Sequence, residues 1–235
     1  MNARAVTALE TADWRMRVFG IYEEVRRLTA AGQASDAHAF WRDERDGLFA
    51  AHPATPLLPE DREGFSGLPV APYDPAWRFE VTIDEPDADD PRPRSFEFAT
   101  GTDGVVPFEL LGVARIDGVG ELDVWRLASY GGGLFVPVKD ALAGRPGGTY
   151  GGGRYLIDTI KGSSLNPALA PGADQADGAR LVLDFNFAYN PSCAYDPAWA
   201  CPLAQPGNRV AVPIPVGESY GDAPLEPGSA ADALD

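Results

Sequence analysis

From Trp14 to Leu28 the apolar residues Trp14, Val18, Ile21, Val25 and Leu28 recur at alternating spacings of four and three, which sets them on one face of a helix. A second helix is predicted to start near Ser35, a residue suited to N-capping, and to carry Phe40, Trp41, Leu48 and Phe49 before Pro53 and Pro56 stop it. From Arg78 onward the pattern changes to short runs of Val, Ile, Phe, Tyr and Leu separated by Gly, Pro and Asp, the punctuation of antiparallel strands. Strands are expected at 78–83, 95–99, 105–116, 120–128, 134–138, 154–160, 180–187 and 209–216, with Asp117-Gly118 turning one hairpin because glycine accepts a positive φ. The fold class that follows is α+β and mainly β: an N-terminal pair of helices, then an antiparallel β-barrel or sandwich, with the helices covering one face or plugging one end. One domain is expected over 1–218, helical across 10–52 and β across 78–218, followed by an acidic, loosely ordered tail over 219–235. Segments 84–94 and 166–178 read as polar excursions from the sheet.

The chain has 235 residues, 45% of them hydrophobic, enough for a substantial core. Its 35 acidic and 19 basic residues leave a formal charge of -16, and the only lysines are Lys139 and Lys161. Such a field repels nucleic acid and anionic membranes, whose binding needs clustered Lys and Arg, so neither is an expected partner. The carboxylate excess reads as adaptation to molar salt, where self-repulsion is screened; an acidic bias in a GC-rich genome is the alternative. The opening residues lack the apolar run of a secretory signal, and no stretch approaches the length of a membrane span, so a cytoplasmic location is expected.

Several motifs carry possible chemistry. Gly217-Glu218-Ser219-Tyr220-Gly221 matches G-x-S-x-G, but Pro224 and Pro227 prevent the helix that must follow a nucleophile elbow, and both histidines, His38 and His52, lie upstream. The glycine triplets at 131–133 and 151–153 lack the spacing of a phosphate-binding loop and suit tight turns or bulges. Cys193 and Cys201 lie in a long loop rich in proline and aromatics; they could ligate zinc or act as a nucleophile, and a brace of that loop, as thiols or a disulfide, is the leading reading. Alternation along 181–187 puts Leu181, Leu183, Phe185 and Phe187 on one face and Val182, Asp184 and Asn186 on the other. If the strands beginning at Arg154 and Arg209 pair nearby, a polar patch of Arg154, Asp184, Asn186 and Arg209 forms, fringed by Tyr150, Tyr155 and Tyr195. A carboxylate held by an arginine among amides and phenols can orient a ligand or serve proton transfer, and it can equally be a structural ion pair. His52 is a candidate base or helix-end cap, and Asp87, Asp89 and Asp90 a candidate cation loop or a solvated acidic run.

The motifs LFVPVKDALAG, TYGGGRYL, LVLDFNFAYNPSCAYDPAWACPL and PGNRVAVPIPVGE resemble those of a prokaryotic family catalogued as domain of unknown function 1684. The resemblance falls on Asp140, Thr149, Tyr150, Gly153, Arg154, Asp184, Asn186, Tyr189, Asn190, Cys193, Cys201, Asn208 and Arg209, and in front on Trp41, Arg45, Phe49, His52 and Pro56. Lys139 departs from it, standing where an apolar or aromatic residue is expected before the aspartate. The family implies no reaction, cofactor or substrate.

The residues thus support a β-rich domain binding a small polar or anionic ligand at Tyr150, Arg154, Asp184, Asn186, Asn190, Tyr195 and Arg209, with Cys193 and Cys201 bracing the loop. The alternative is a structural or protein-interaction domain in which the same residues pin the proline-rich loop. A metal-dependent hydrolase using His52 is the third reading. No cofactor or catalytic group is named by the sequence.

Overall fold

A computed structural model describes residues 2–99, 104–165 and 180–221. Helix α1, Ala3–Ala30, begins well before the apolar stripe, with Asn2 capping it through the Ala5 amide. The stripe was visible only where the helix is covered: Ile21, Tyr22 and Val25 are buried, whereas the first three turns face solvent. Gly32, at φ +78°, closes α1 by giving its N–H to Thr29 O while Gln33 N–H bonds Leu28 O, a Schellman arrangement. After this three-residue connection α2 runs Ala34–Ala51 back along α1. Its N-cap is Gln33 and not the expected Ser35, which lies inside the first turn. A one-turn helix α3, Pro59–Arg62, follows.

The β part holds two antiparallel sheets among the described residues. Strands β1, Arg78–Thr82, and β7, Arg180–Asp184, make one; β2 (Ser95–Ala99), β3 (Val105–Ile116), β4 (Gly120–Leu127), β5 (Leu134–Val138) and β6 (Arg154–Asp158) make the other, in the order β2-β3-β4-β5-β6. The 117–119 turn between β3 and β4 has Gly118 at φ +76°, as the Asp-Gly signal required. The five-stranded sheet is open, and the pair packs on one of its faces in a sandwich-like layer: Leu181, Leu183 and Phe185 meet Leu122, Val124, Val136 and Val138 in a shared core. The opposite face carries an aromatic layer of Phe108, Trp125, Phe135 and Tyr155. The helices cover the outer side of β7, where Val182 and Phe187 join Trp41, Val25 and Phe49.

Two expected strands change course. The alternation along 180–187 ends at Asp184, whose side chain caps a 3-10 turn, Phe185–Phe187, and swings Phe187 to the helical side. The expected strand at 209–216 is irregular: Pro213 and Pro215 have no N–H for a ladder, and side chains hold the segment instead. Ser219 and Tyr220, expected in the loose tail, donate backbone N–H groups to Pro69 and Gly148. The remainder of that tail, 222–235, and the excursion at 166–178 lie outside the described residues.

Candidate functional site

Arg154 opens β6 with no exposed surface. Its Nη1 donates to Val216 O at 2.5 Å and Glu218 O at 3.2 Å, and its Nη2 to Ile214 O at 3.1 Å, with Asp140 Oδ2 at 3.8 Å. Burial holds the guanidinium below its ordinary pKa, partly offset by Asp140 and Glu218. Asp140 accepts from Thr149 Oγ1 at 2.5 Å and from Ile214 N at 2.9 Å. These bonds replace the missing ladder and carry residues 214–218 across the core.

Glu218, delivered by that segment, is completely buried and accepts from both ends of the molecule. Arg45 Nη2 reaches its Oε2 at 3.1 Å from α2; Asn190 gives its backbone N–H to Oε2 at 3.1 Å and its Nδ2 to Oε1 at 3.1 Å; Tyr195 donates its hydroxyl to Oε1. Burial, the largest single influence, pulls the Arg45 pKa down, but Glu218, Tyr195 and Tyr22 together outweigh it and the net shift is upward. The Arg45 guanidinium also lies over the rings of Trp41, Phe49 and Tyr189 at 4.7, 5.3 and 5.3 Å. Burial pushes the Tyr22 phenol up to about 12; its oxygen accepts from Trp41 Nε1 at 3.0 Å.

Against this network lies a cavity of about 150 Å³ between α1, α2 and the 189–199 loop. Trp14, Val18 and Ile21 of α1, Leu48 and Phe49 of α2, and Trp199 give it apolar walls; Arg45, Asn190 and Tyr195 belong to its polar lining, together with the hydroxyl-bearing Thr11, Ser192, Tyr22 and Tyr189, and Arg15 and Lys161 are further cations. Among the described residues no acidic side chain lines it, although acids outnumber bases 35 to 19 in the chain. Two buried polar atoms on its lining residues, Arg45 Nη1 and Asn190 Oδ1, have no hydrogen-bond partner.

Of the residues singled out in the sequence, Asn190 and Tyr195 meet here. The others are distributed. Asp184 does not face Arg154: it accepts from Asn186 N at 3.1 Å and Nδ2 at 2.8 Å, and Asn186 in turn exchanges bonds with the backbone of Asp74. The reason is pairing, since β7 lies beside β1 and not beside β6. Arg209 is exposed, its backbone bridged to Lys139. The Tyr150 hydroxyl approaches Cys193 O at 3.5 Å and Sγ at 3.6 Å, and its ring meets Tyr220 edge-on. Cys193 and Cys201 are free, and the interaction between the two thiols pushes Cys193 up and draws Cys201 down. His52 Nδ1 accepts from Ala54 N at 3.1 Å, so the proton sits on Nε2, which donates to Asp13 Oδ2 at 3.1 Å and ties α2 to α1. Ser219 is buried, its Oγ on Pro69 O at 3.1 Å. Asp90 holds Arg92, and among the described residues no three His, Cys, Asp or Glu side chains converge as a metal site requires.

Arg45 and Glu218, named in the sequence only within the family resemblance and the G-x-S-x-G match, are the residues that sequence reasoning assigned to no site. Trp41 and Arg45 stand four apart on the apolar face of α2, and an arginine there signals a buried acid, but nothing local points to a partner 173 positions away.

No helix of the described residues is long and apolar enough to cross a membrane. No curated protein matches the chain. Among solved structures it is similar to the solution NMR structure of an uncharacterized protein from Haloarcula marismortui, with 31% identity and a TM-score of 0.53 over 83% of this chain and 96% of the other. The family described as "Protein of unknown function (DUF1684)" matches residues 63–219, two thirds of the sequence, and the chain belongs to it.

Proposed function

We propose that the protein is a small-molecule-binding domain whose site is the cavity between α1, α2 and the 189–199 loop. The observation that carries this reading is the pair of unpartnered buried atoms, Arg45 Nη1 and Asn190 Oδ1, on residues lining one cavity. Buried polar atoms nearly always have partners, and those that lack one in a concave, mostly apolar site mark where a ligand's polar group belongs. The cations Arg15 and Lys161 favour entry of a polar or anionic molecule into a protein whose field otherwise repels anions. That same field argues against nucleic acid or membrane as partner, and the two free cysteines suit a reducing cytoplasm. The residues of the sequence-derived patch serve this site indirectly: Arg154 holds the segment that presents Glu218, and Asp184 with Asn186 fixes the turn that leads into Tyr189 and Asn190.

A second reading, a scaffold or protein-interaction domain, is favoured by the bonds that commit Arg154 Nη1 and Nη2, Asp140 Oδ2 and Asn208 Nδ2 to backbone atoms. Val18→Trp separates the two. Val18 is half-buried on the cavity wall and contributes no side-chain hydrogen bond to the polar network. Single-ring probes such as toluene, phenol and benzamide are expected to raise the melting temperature of the wild type, as any native-state ligand must, and to leave the filled variant unmoved. Equal shifts in both proteins, or none in either, would remove the cavity as a site and leave the scaffold reading.

A further inference from the structure

The polar end of the cavity is chemically specified from both sides. Asn190 Nδ2 donates to Glu218 Oε1 at 3.1 Å and to Ser219 O at 2.8 Å, so turning the amide over would set its oxygen against a carboxylate and a carbonyl. Asn190 Oδ1 is therefore a fixed acceptor, buried and without a donor. Arg45 is fixed by its bond to Glu218 and by the rings of Trp41, Phe49 and Tyr189, which leaves Nη1 a buried donor without an acceptor.

A group that satisfies both atoms must accept one hydrogen bond and donate another. A carboxylate cannot donate to Asn190 Oδ1, and it would bring a second negative charge beside Glu218, which already neutralises Arg45. An amidinium cannot accept from Arg45 and would face a like charge. A purely apolar group leaves both atoms unsatisfied. Size is equally restrictive, because a cavity near 150 Å³ holds about one benzene ring. Resting on the cavity reading above, we infer that the ligand is a neutral molecule of single-ring or short branched size, carrying a primary carboxamide or an equivalent donor–acceptor group. That group seats between Arg45 and Asn190, and the apolar body lies against Trp14, Val18, Ile21 and Phe49.

Four near-isosteric probes test this on the intact chain: benzamide, benzoate, benzamidine and toluene, each titrated against amide resonances at neutral pH and fixed KCl. Benzamide is expected to bind at least tenfold more tightly than the other three, to perturb cavity residues, and to lose that binding in Val18→Trp. Benzoate, benzamidine or toluene matching benzamide would overturn the ligand class while leaving the cavity as a site. Silence from all four, or benzamide binding that survives Val18→Trp, would overturn the class and the site together.

Discussion

Asp184 and His38 meet the same turn and titrate against each other. Burial raises the Asp184 carboxyl from 3.8 to about 6, while the bonds from Asn186 resist the shift. Between those values the folded protein holds a proton that the unfolded chain has released, so this group's contribution is full below about pH 4 and is lost as pH rises through 6. His38, whose Nε2 lies 3.0 Å from Asn186 O, is pushed by burial from 6.5 down to about 4. Here the unfolded chain binds the extra proton, and stability rises with pH from about 4 to 6.5. Each effect is worth up to roughly 3 kcal/mol, and over their common range they oppose. Denaturant unfolding at several pH values should therefore give slopes of opposite sign relative to wild type in the two single variants. Asp184→Asn should gain stability as pH climbs from 4 to 6, and His38→Gln should lose it. A flat slope in either variant would mean that the group it removes is open to water.

At the scale of elements, the two sheets are joined where the chain leaving β1 crosses β3. Asp84 and Val113 exchange backbone bonds at 3.0 and 2.8 Å beside the irregularity at Leu111, and a Cβ at Gly112 would lie 2.5 Å from Asp84 O and 2.6 Å from Ile83 Cγ2. Gly112→Ala should therefore force the sheets apart and cost about 1–3 kcal/mol. Gly47, inside α2 with nothing within 4 Å of its would-be Cβ, should respond in the opposite sense, Gly47→Ala gaining about 0.5–1 kcal/mol. Thermal unfolding reads both, and a neutral Gly112→Ala would show that the junction yields. The strands that were legible are those whose apolar alternation and backbone ladder coincide, as in β3 and β4. Residues 209–216 have the alternation without the ladder, because prolines remove donors and the bonds come from Arg154 and Asp140 far away in sequence. The site was legible to the same extent. Asn190 and Tyr195 stand in a motif dense enough to notice, while the order β1-β7, which separates Asp184 from Arg154, is a long-range pairing that no local pattern encodes.

Over the whole molecule the dominant unbalanced quantity is charge. Ion pairing leaves the -16 in place, because each pair joins a carboxylate to one of the outnumbered cations: Arg92 gathers Asp90, Glu121 and Asp123, and Arg115 takes Asp84 and Glu121. The exposed Arg115 pairs contribute about 0–1 kcal/mol each, and the Arg92 pairs, largely covered, are screened little, so salt costs little through either. The carboxylates left over repel one another across distances that screening shortens, the Debye length falling from about 10 Å at 0.1 M to about 3 Å at 1 M. Folding concentrates that charge, and salt should therefore favour the folded state more than it harms the pairs. The melting temperature is expected to rise between about 0.1 M and 2 M KCl. Because the Debye length shrinks with the square root of ionic strength, relief of self-repulsion should deliver most of the rise in the first few tenths molar. A gain that starts only above 1 M would instead trace to strengthened apolar burial, and a flat or falling curve would show that the acidic surface is composition without adaptation.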